Sequence, residues 1–135
     1  MSDELRIRIP WIPPATLGAN AHKHWRHKHP DEQTAREMAF IATKNKINRR
    51  RSAWECPDMP VAVVVFHWEK KSRRKDWDNA ASVVKHIQDG VCAALGIDDK
   101  RFVTGMPFQK IDPDKQGYVE FIIRPAMAHE RRLAS

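Results

Sequence analysis

Apolar residues follow two different patterns in the stretches that predict β-strands. Residues 5–9 alternate leucine or isoleucine with arginine, which is the period of two expected for a strand with one buried face. Residues 61–68 are largely apolar on both faces and rich in valine, which favours a strand in the middle of a sheet. Two further strands are predicted, from Phe102 to about Ile111 and from Tyr118 to Ile123, paired with each other as a hairpin.

Two other stretches show the three- and four-residue spacing of apolar positions that predicts amphipathic helices. The first runs from Asp31 to about Arg50, with acids in its first turn and basic residues in its last. Its apolar stripe is predicted to contain Ala35, Met38, Ala39 and Ala42, widened by Phe40 and Ile41. The second helix starts near Asp78 or Asn79, both good N-cap residues, and stops at Gly96. Its buried face is predicted to contain Ala80, Val84, Ile87, Val91 and Leu95.

The predicted elements follow the order β-α-β-α-β-β. This order indicates one α+β domain, with a mixed sheet packed against two helices. A length of 135 residues also fits one domain. The domain is expected to span residues 1–125, and the polar residues 126–135 are expected to form a frayed tail or a short loose helix.

The charge balance indicates the kind of partner. A net charge of +7 and a pI of about 9.7 favour a polyanion, either nucleic acid or an anionic membrane surface. No apolar run approaches the ~20 residues that span a bilayer, and the acidic N-terminus lacks a signal-peptide core. We therefore expect a cytoplasmic protein that binds nucleic acid and no membrane. Cys92, inside the second predicted helix, is expected to be a small buried apolar residue.

Basic residues and carboxylates meet directly after the central predicted strand. Asp76 and Asp78 follow a run of six residues of which five are basic, namely Lys70, Lys71, Arg73, Arg74 and Lys75. On an extended segment, carboxylates at i and i+2 point the same way and can converge on one cation. Mg²⁺ commonly takes one or two carboxylates together with phosphate and water, so this pattern predicts a metal-dependent nuclease site. The alternative is that residues 76–79 only cap a helix after a charged loop.

Reach along the second predicted helix separates the remaining candidates. Asp89 would lie about 16 Å from Asp78 along the axis, too far to share a metal ion with it. Lys85 would lie about 10 Å from Asp78, and its long side chain could just bring the ammonium near a phosphate. Asp98 and Asp99 follow the helix stop, and one of them could return to the first two aspartates from the sheet side.

A loop over residues 15–30 is basic and rich in histidine. Four histidines could bind a transition metal, or they could contact phosphate or solvent: His22, His24, His27 and His29. Trp25 stands among Lys23, Arg26 and Lys28, which fits stacking on an unpaired base or packing on the protein's own surface.

The layout resembles the RusA-like Holliday junction resolvases over almost the whole chain, from Ile7 to Arg124. The opening residues 9–14, with Asn20, look like the family's first strand and proline-rich turn. The core of the resemblance is the segment 74–79 followed by Lys85, Asp89-Gly90 and Asp98-Asp99.

The resemblance implies roles for individual residues. It places the metal-binding catalytic triad on Asp76, Asp78 and Asp99, and the catalytic lysine on Lys85. In the family's best-known pattern the lysine stands four residues after the second acid, where this chain has Ser82. Either the helix starts later than Asp78, or Lys75 supplies the positive charge instead.

The family's members act as homodimers on four-way DNA junctions and nick two strands symmetrically, using Mg²⁺ or Mn²⁺. The resemblance therefore implies a junction-resolving endonuclease of a bacterial or phage-infected cell, acting in recombination and repair at the nucleoid. The basic residues 70–75, with Asn20, Lys23 and Arg26, would contact the DNA. The rival hypothesis is a non-catalytic basic module that binds nucleic acid without a divalent metal.

Overall fold

The first and central strands form as their hydrophobic patterns predict. In the computed structural model β1 is Leu5–Ile9, and its three apolar residues are fully buried while the arginines between them are exposed. β2 is Pro60–Trp68 and is buried on both faces. The structure describes residues 4–13, 25–50, 52–74 and 77–134, with the backbone alone at 25–30, 77–79 and 133–134.

The first helix is longer than predicted and its apolar stripe is narrower. α1 is Trp25–Arg49, so it begins six residues before Asp31, and the predicted acids are not in its first turn. The prediction of a loop up to residue 30 was wrong, because α1 runs through Pro30, although an interior proline removes one helical hydrogen bond. Ala35 and Ala39 are fully buried as predicted, but Phe40 is 38% exposed and Ile41 is 54% exposed. These two residues therefore do not widen the core stripe.

The second helix, α2, is Trp77–Leu95, close to its predicted bounds. Gly96 ends it with a φ of +68°, and the Ile97 N–H donates to the Cys92 carbonyl over 3.0 Å. This is a Schellman stop, for which glycine is favoured because the conformation is left-handed. The predicted inward residues from Ala80 to Val91 are buried, and Leu95 is half-buried. Cys92 is buried too, as predicted, and burial raises the pKa of its thiol to about 12.

The two helices cross closely at Gly90 of α2. A Cβ added there would lie 2.9 Å from the Cβ of Ala39 and closer still to the carbonyl oxygen of Arg36. Gly90 is therefore a packing residue, because only hydrogen fits between the helices.

Beside this crossing, His86 of α2 faces α1, with its Nε2 3.9 Å from the Glu32 carboxylate and its Nδ1 3.4 Å from the Arg36 guanidinium. Burial lowers the pKa of the His86 imidazole.

The remaining strands are β3 (Val103–Thr104), β4 (Phe108–Ile111) and β5 (Tyr118–Pro125). The single strand predicted from Phe102 to Ile111 is thus two short strands. β3 and β4 both pair in parallel with β2, at one edge of the sheet. β5 lies on the other side of β2 and pairs antiparallel with both β2 and β1.

The predicted hairpin between the last two strands was therefore wrong. The loop between β4 and β5 crosses the end of β2 instead, where the Asp112 N–H donates to the Trp68 carbonyl over 2.8 Å. The physical reason is burial: Val119, Phe121 and Ile123 of β5 are fully buried, so a central position with two ladders suits it. The mostly exposed β4 suits an edge.

The protein is a single-domain α+β fold with a mixed sheet, as predicted at that level. The core lies between the sheet and the α1–α2 pair, with Phe66, Phe121 and Ile87 fully buried at its centre. A third helix, α3, is Ala128–Ala134. Glu130 anchors it through two hydrogen bonds of 2.8 and 3.0 Å from the Arg124 guanidinium. The Arg124 guanidinium lowers the pKa of the Glu130 carboxyl to about 2. Among the described helices, none has the length and apolar character needed to cross a bilayer.

Candidate active site

The basic run follows β2 directly, and its members have different surroundings. Lys70 and Lys71 are exposed, the latter in a short 3₁₀ helix that spans Lys71–Arg73. Arg73 donates to the Pro13 carbonyl over 3.0 Å and lies 3.4 Å from the Glu69 carboxylate. Arg74 donates to the Gln109 carbonyl over 3.1 Å. The two arginines therefore fasten this segment to the body of the protein, while the two lysines project into solvent.

The predicted acids follow at the start of α2. Asp78 is the second residue of the helix, so its backbone is helical rather than extended. The extended geometry assumed for carboxylates at i and i+2 is therefore absent at Asp78, and the convergence of Asp76 and Asp78 on one cation stays a prediction. The idea that the helix starts later than Asp78 was wrong. Lys75 and Asp76 lie outside the described residues, as does the side chain of Asp78.

A cleft of about 180 Å³ lies between the middle of α2 and the segment that leads into β3. Three charged residues singled out by the sequence line it together: Lys85, Asp89 and Asp99. Lys85 and Asp89 come from one face of α2, and Asp99 comes from the next element. The other lining residues are Ala81, Val84, Gln88 and Thr104. The cleft thus brings together groups of both charge signs.

The adjacent aspartates after Gly96 have different positions. Asp98 precedes a 3₁₀ helix spanning Asp99–Arg101, and its carboxylate accepts the Lys100 N–H over 2.9 Å. That hydrogen bond is the main reason why the pKa of the Asp98 carboxyl is lowered. Asp99 is exposed and lines the cleft. Asp98 therefore caps the short helix, and Asp99 is the carboxylate that returns toward α2.

Local contacts fix the wall of the cleft that carries Asp99. The Thr104 hydroxyl of β3 donates to the Gln88 side-chain carbonyl over 2.8 Å, which links the sheet edge to α2. On the other side of this segment, Arg101 donates to the Pro57 carbonyl over 3.1 Å. The segment that follows Asp99 is thus attached to the protein at two points, Arg101 and Thr104.

The chemistry of the cleft fits a hard divalent cation in part. Asp89 and Asp99 supply the oxygen donors that Mg²⁺ takes. Across the described part of the chain, no three His, Cys, Asp or Glu residues are grouped closely enough to hold a metal ion. Two members of the predicted triad, Asp76 and Asp78, contribute no side chain to that description.

The other predicted contact residues fall near the start of α1. Asn20 and Lys23 lie outside the described residues, with His22 and His24. Arg26 is in the first turn of α1, where the structure gives the backbone alone. Their predicted roles in binding DNA or metal stay predictions.

Sequence reasoning missed two polar residues of the cleft, Gln88 and Thr104. Gln88 stands three residues after Lys85, the spacing that puts two side chains on the same helix face, and this signal could have found it. Thr104 carried no such signal, because its place depends on β3 pairing in parallel with β2.

Comparison with known proteins gives one relative of this chain. An uncharacterized protein of Xylella fastidiosa strain Temecula1 is 31% identical over 102 residues, which are 73% of this chain and 62% of the relative. The chain therefore spans less than two thirds of the relative's length. No protein-family model and no solved structure matches the chain.

Proposed function

We propose that this protein is a metal-dependent endodeoxyribonuclease that resolves four-way DNA junctions by paired symmetric nicks. The observation that carries the proposal is the position of Asp99, which lines the same cleft as Lys85 of α2. If residues 76–79 only capped α2, there would be no functional reason for Asp99 and Lys85 to line the same cleft. Exposed Lys70 and Lys71, in the segment before α2, would attract the DNA backbone.

The proposed ligands of a Mg²⁺ ion, or of Mn²⁺ in its place, are Asp76, Asp78 and Asp99. Of these three residues, Asp99 lines the described cleft, and its carboxylate is the kind of oxygen donor that such cations take. When bound, such an ion polarises a phosphoryl oxygen and lowers the pKa of a water molecule. Lys85 is the group that would stabilise negative charge on the phosphate, because its ammonium is exposed at the cleft.

Symmetric nicking of a junction needs two sites, which a homodimer of this chain would supply. A net charge of +7 per chain supports binding to a polyanion, and the affinity should fall steeply with salt. The place of action proposed is the bacterial cytoplasm, at DNA undergoing recombination and repair.

The test compares two neighbouring aspartates that the structure separates by role. Asp99→Asn should lower the rate of four-way junction cleavage in Mg²⁺ by at least about a hundredfold, because it removes a charged oxygen donor from the cleft. Asp98→Asn is the matched control, because asparagine can still accept the Lys100 N–H and cap the short helix. Cleavage and junction binding should both be measured, the latter in EDTA.

The outcomes separate the nuclease from a plain binding module. Equal cleavage by the wild-type protein and Asp99→Asn would overturn the site. A wild-type protein that binds junctions equally well with and without Mg²⁺, and never cuts them, would support the non-catalytic module instead. Competition among four-way, flap, duplex and RNA substrates then tests the preference for junctions.

A further inference from the structure

A second concave surface lies at the opposite edge of the sheet from the cleft. It is a groove of about 660 Å³ between β1 and the C-terminal half of α1. We call it the basic groove, and the residues lining it are Arg6, Arg8, Pro10, Met38, Ile41, Ala42, Asn45, Lys46, Arg49 and Arg50. Five of these ten residues are basic and none is acidic.

The end of α1 supplies the positive charge of the groove. Lys46 and Arg49 are exposed in the last turn of α1, where the helix dipole alone favours cations. Arg6 and Arg8 line the groove from the neighbouring edge strand, but their guanidinium groups lie on the sheet face away from α1, because Leu5, Ile7 and Ile9 take the face toward the helices. Arg6 lies 3.1 Å from Glu4 and 3.5 Å from Glu120, so part of its charge is offset within the protein.

The Arg8 guanidinium is held on the outer face of the sheet. Its carbon lies 3.8 Å from the centre of the Tyr118 ring, and that ring stacks on His67 with 4.1 Å between ring centres. Tyr118 and His67 alternate with the core residues of their strands, so this stack keeps the Arg8 head group outside the groove. The side-chain charge of the groove therefore comes from α1.

The floor of the groove is apolar. Ile41 is 54% exposed there, and Met38, Ala42 and Pro10 line the same surface. An apolar floor beside a basic wall fits a sugar-phosphate backbone, whose phosphates contact the wall while sugars or unstacked bases cover the floor.

We propose that the basic groove binds the phosphodiester backbone of DNA at a distance from the nucleotide being cut, an inference that rests on the proposed function. Three strand spacings separate β1 from β3, or roughly 14 Å across the sheet. At about 3.4 Å per phosphate along one strand, the groove would contact DNA at least about four nucleotides from the scissile bond. The groove is therefore a surface for affinity and positioning, separate from the chemistry of the cleft.

The test uses two double variants that remove equal charge. Lys46→Gln with Arg49→Gln changes exposed residues of the groove, and Lys115→Gln with Arg131→Gln changes exposed residues elsewhere. Each pair lowers the net charge from +7 to +5, since 7 − 2 = 5. Binding of the full chain to a four-way junction is measured in EDTA by fluorescence anisotropy over a range of salt concentrations, and cleavage is measured in Mg²⁺ at saturating junction.

The groove pair should weaken binding by at least about tenfold near 0.1 M salt and reduce the log–log salt slope by about 1.8. The control pair should change affinity by less than about twofold, and the rate at saturation should stay at the wild-type value in both. If the two pairs have equal junction affinity and equal salt slopes, the proposal that the basic groove binds DNA is wrong.

The two proposals can fail separately. If the wild-type protein never cuts junctions, and if junction binding is weakened only in the groove pair, the nuclease proposal is refuted and the groove proposal stands. A protein that cuts normally while both pairs bind alike would refute the groove and keep the nuclease. If the groove pair loses binding to a polyglutamate peptide and keeps its binding to DNA, the groove is a protein-docking surface and the proposal is wrong.

Discussion

The two edges of the sheet carry concave surfaces of opposite character. At the β3 edge, a small cleft contains one lysine and two carboxylates contributed by α2 and the segment after it. At the β1 edge, a larger groove is lined by five basic residues and, among the described residues, by no acid. The difference matters because metal-assisted phosphoryl transfer uses a carboxylate that binds a metal cation and a cationic side chain that stabilises negative charge, placed close together. Backbone binding needs only positive charge along a path.

Each surface depends on a different helix of one packed pair. α1 forms one wall of the basic groove, α2 forms one wall of the cleft, and the two pack against each other at Gly90. A change in one surface should therefore leave the other intact, whereas a change at the helix crossing should disturb both.

The largest effect is expected at Lys85. Lys85→Met keeps most of the aliphatic stem and removes the charge, so the rate of junction cleavage at saturation should fall by about a hundredfold. Junction affinity should change by less than about threefold, because Lys85 is one of many cations on the protein. Lys85→Arg keeps the charge and is the matched control. If Lys85→Met weakens junction binding as much as the groove pair does, while its cleavage rate at saturation stays normal, the β3 edge contributes to binding rather than to cleavage.

The next effect is expected at the helix crossing. Gly90→Ala places a methyl group against α1, and overpacking of this kind should lower the free energy of unfolding by about 1–3 kcal/mol. Gly105→Ala is the control, because a Cβ there meets no heavy atom within 4 Å. Urea denaturation measures both variants. A Gly90→Ala protein as stable as Gly105→Ala would show that the helices can separate at no cost, and both surfaces would then be less fixed than described.

The smallest effect is expected at Asp112, in the loop that crosses the end of β2. Its buried carboxylate accepts three backbone hydrogen bonds, from Asp114, Gln116 and Gly117, at 3.0–3.1 Å. These bonds, the one from Gly117 above all, hold the pKa of Asp112 below its usual value. The carboxylate therefore stabilises the fold above the unfolded-state pKa of about 3.9, and this contribution is lost as pH falls through the lower folded-state pKa.

Urea midpoints measured from pH 7 to pH 2 check this expectation. Asp112→Asn should have a lower midpoint than the wild-type protein at pH 7, and the gap should narrow below about pH 4. Asp114→Asn, two residues along the same loop and exposed, should follow the wild-type curve. A gap between Asp112→Asn and wild type that stays constant down to pH 2 would mean that ionised Asp112 does not hold the loop.

Local hydrophobic patterns predicted an element well where one of its faces is buried, because the pattern does not depend on which other element covers that face. The alternation in β1, the apolar face of α2 and the stop at Gly96 all follow from short-range geometry, and the structure confirms them. The start of α1 was mispredicted because the proline before Asp31 was taken as a boundary, whereas α1 continues through it despite the hydrogen bond that proline removes. The hairpin was mispredicted because strand pairing depends on which edges of β2 are open.

The sequence by itself determined which residues are charged, which are apolar and how they are spaced, and hence the run of basic residues before two aspartates. Only the tertiary structure decided that Asp99 rather than Asp98 lines the cleft with Lys85, and that β1 and the end of α1 line one groove. The physical reason is that both surfaces combine residues from different elements. Their proximity comes from the parallel pairing of β3 with β2 and the packing of α1 on β1, which spacing along the chain does not fix.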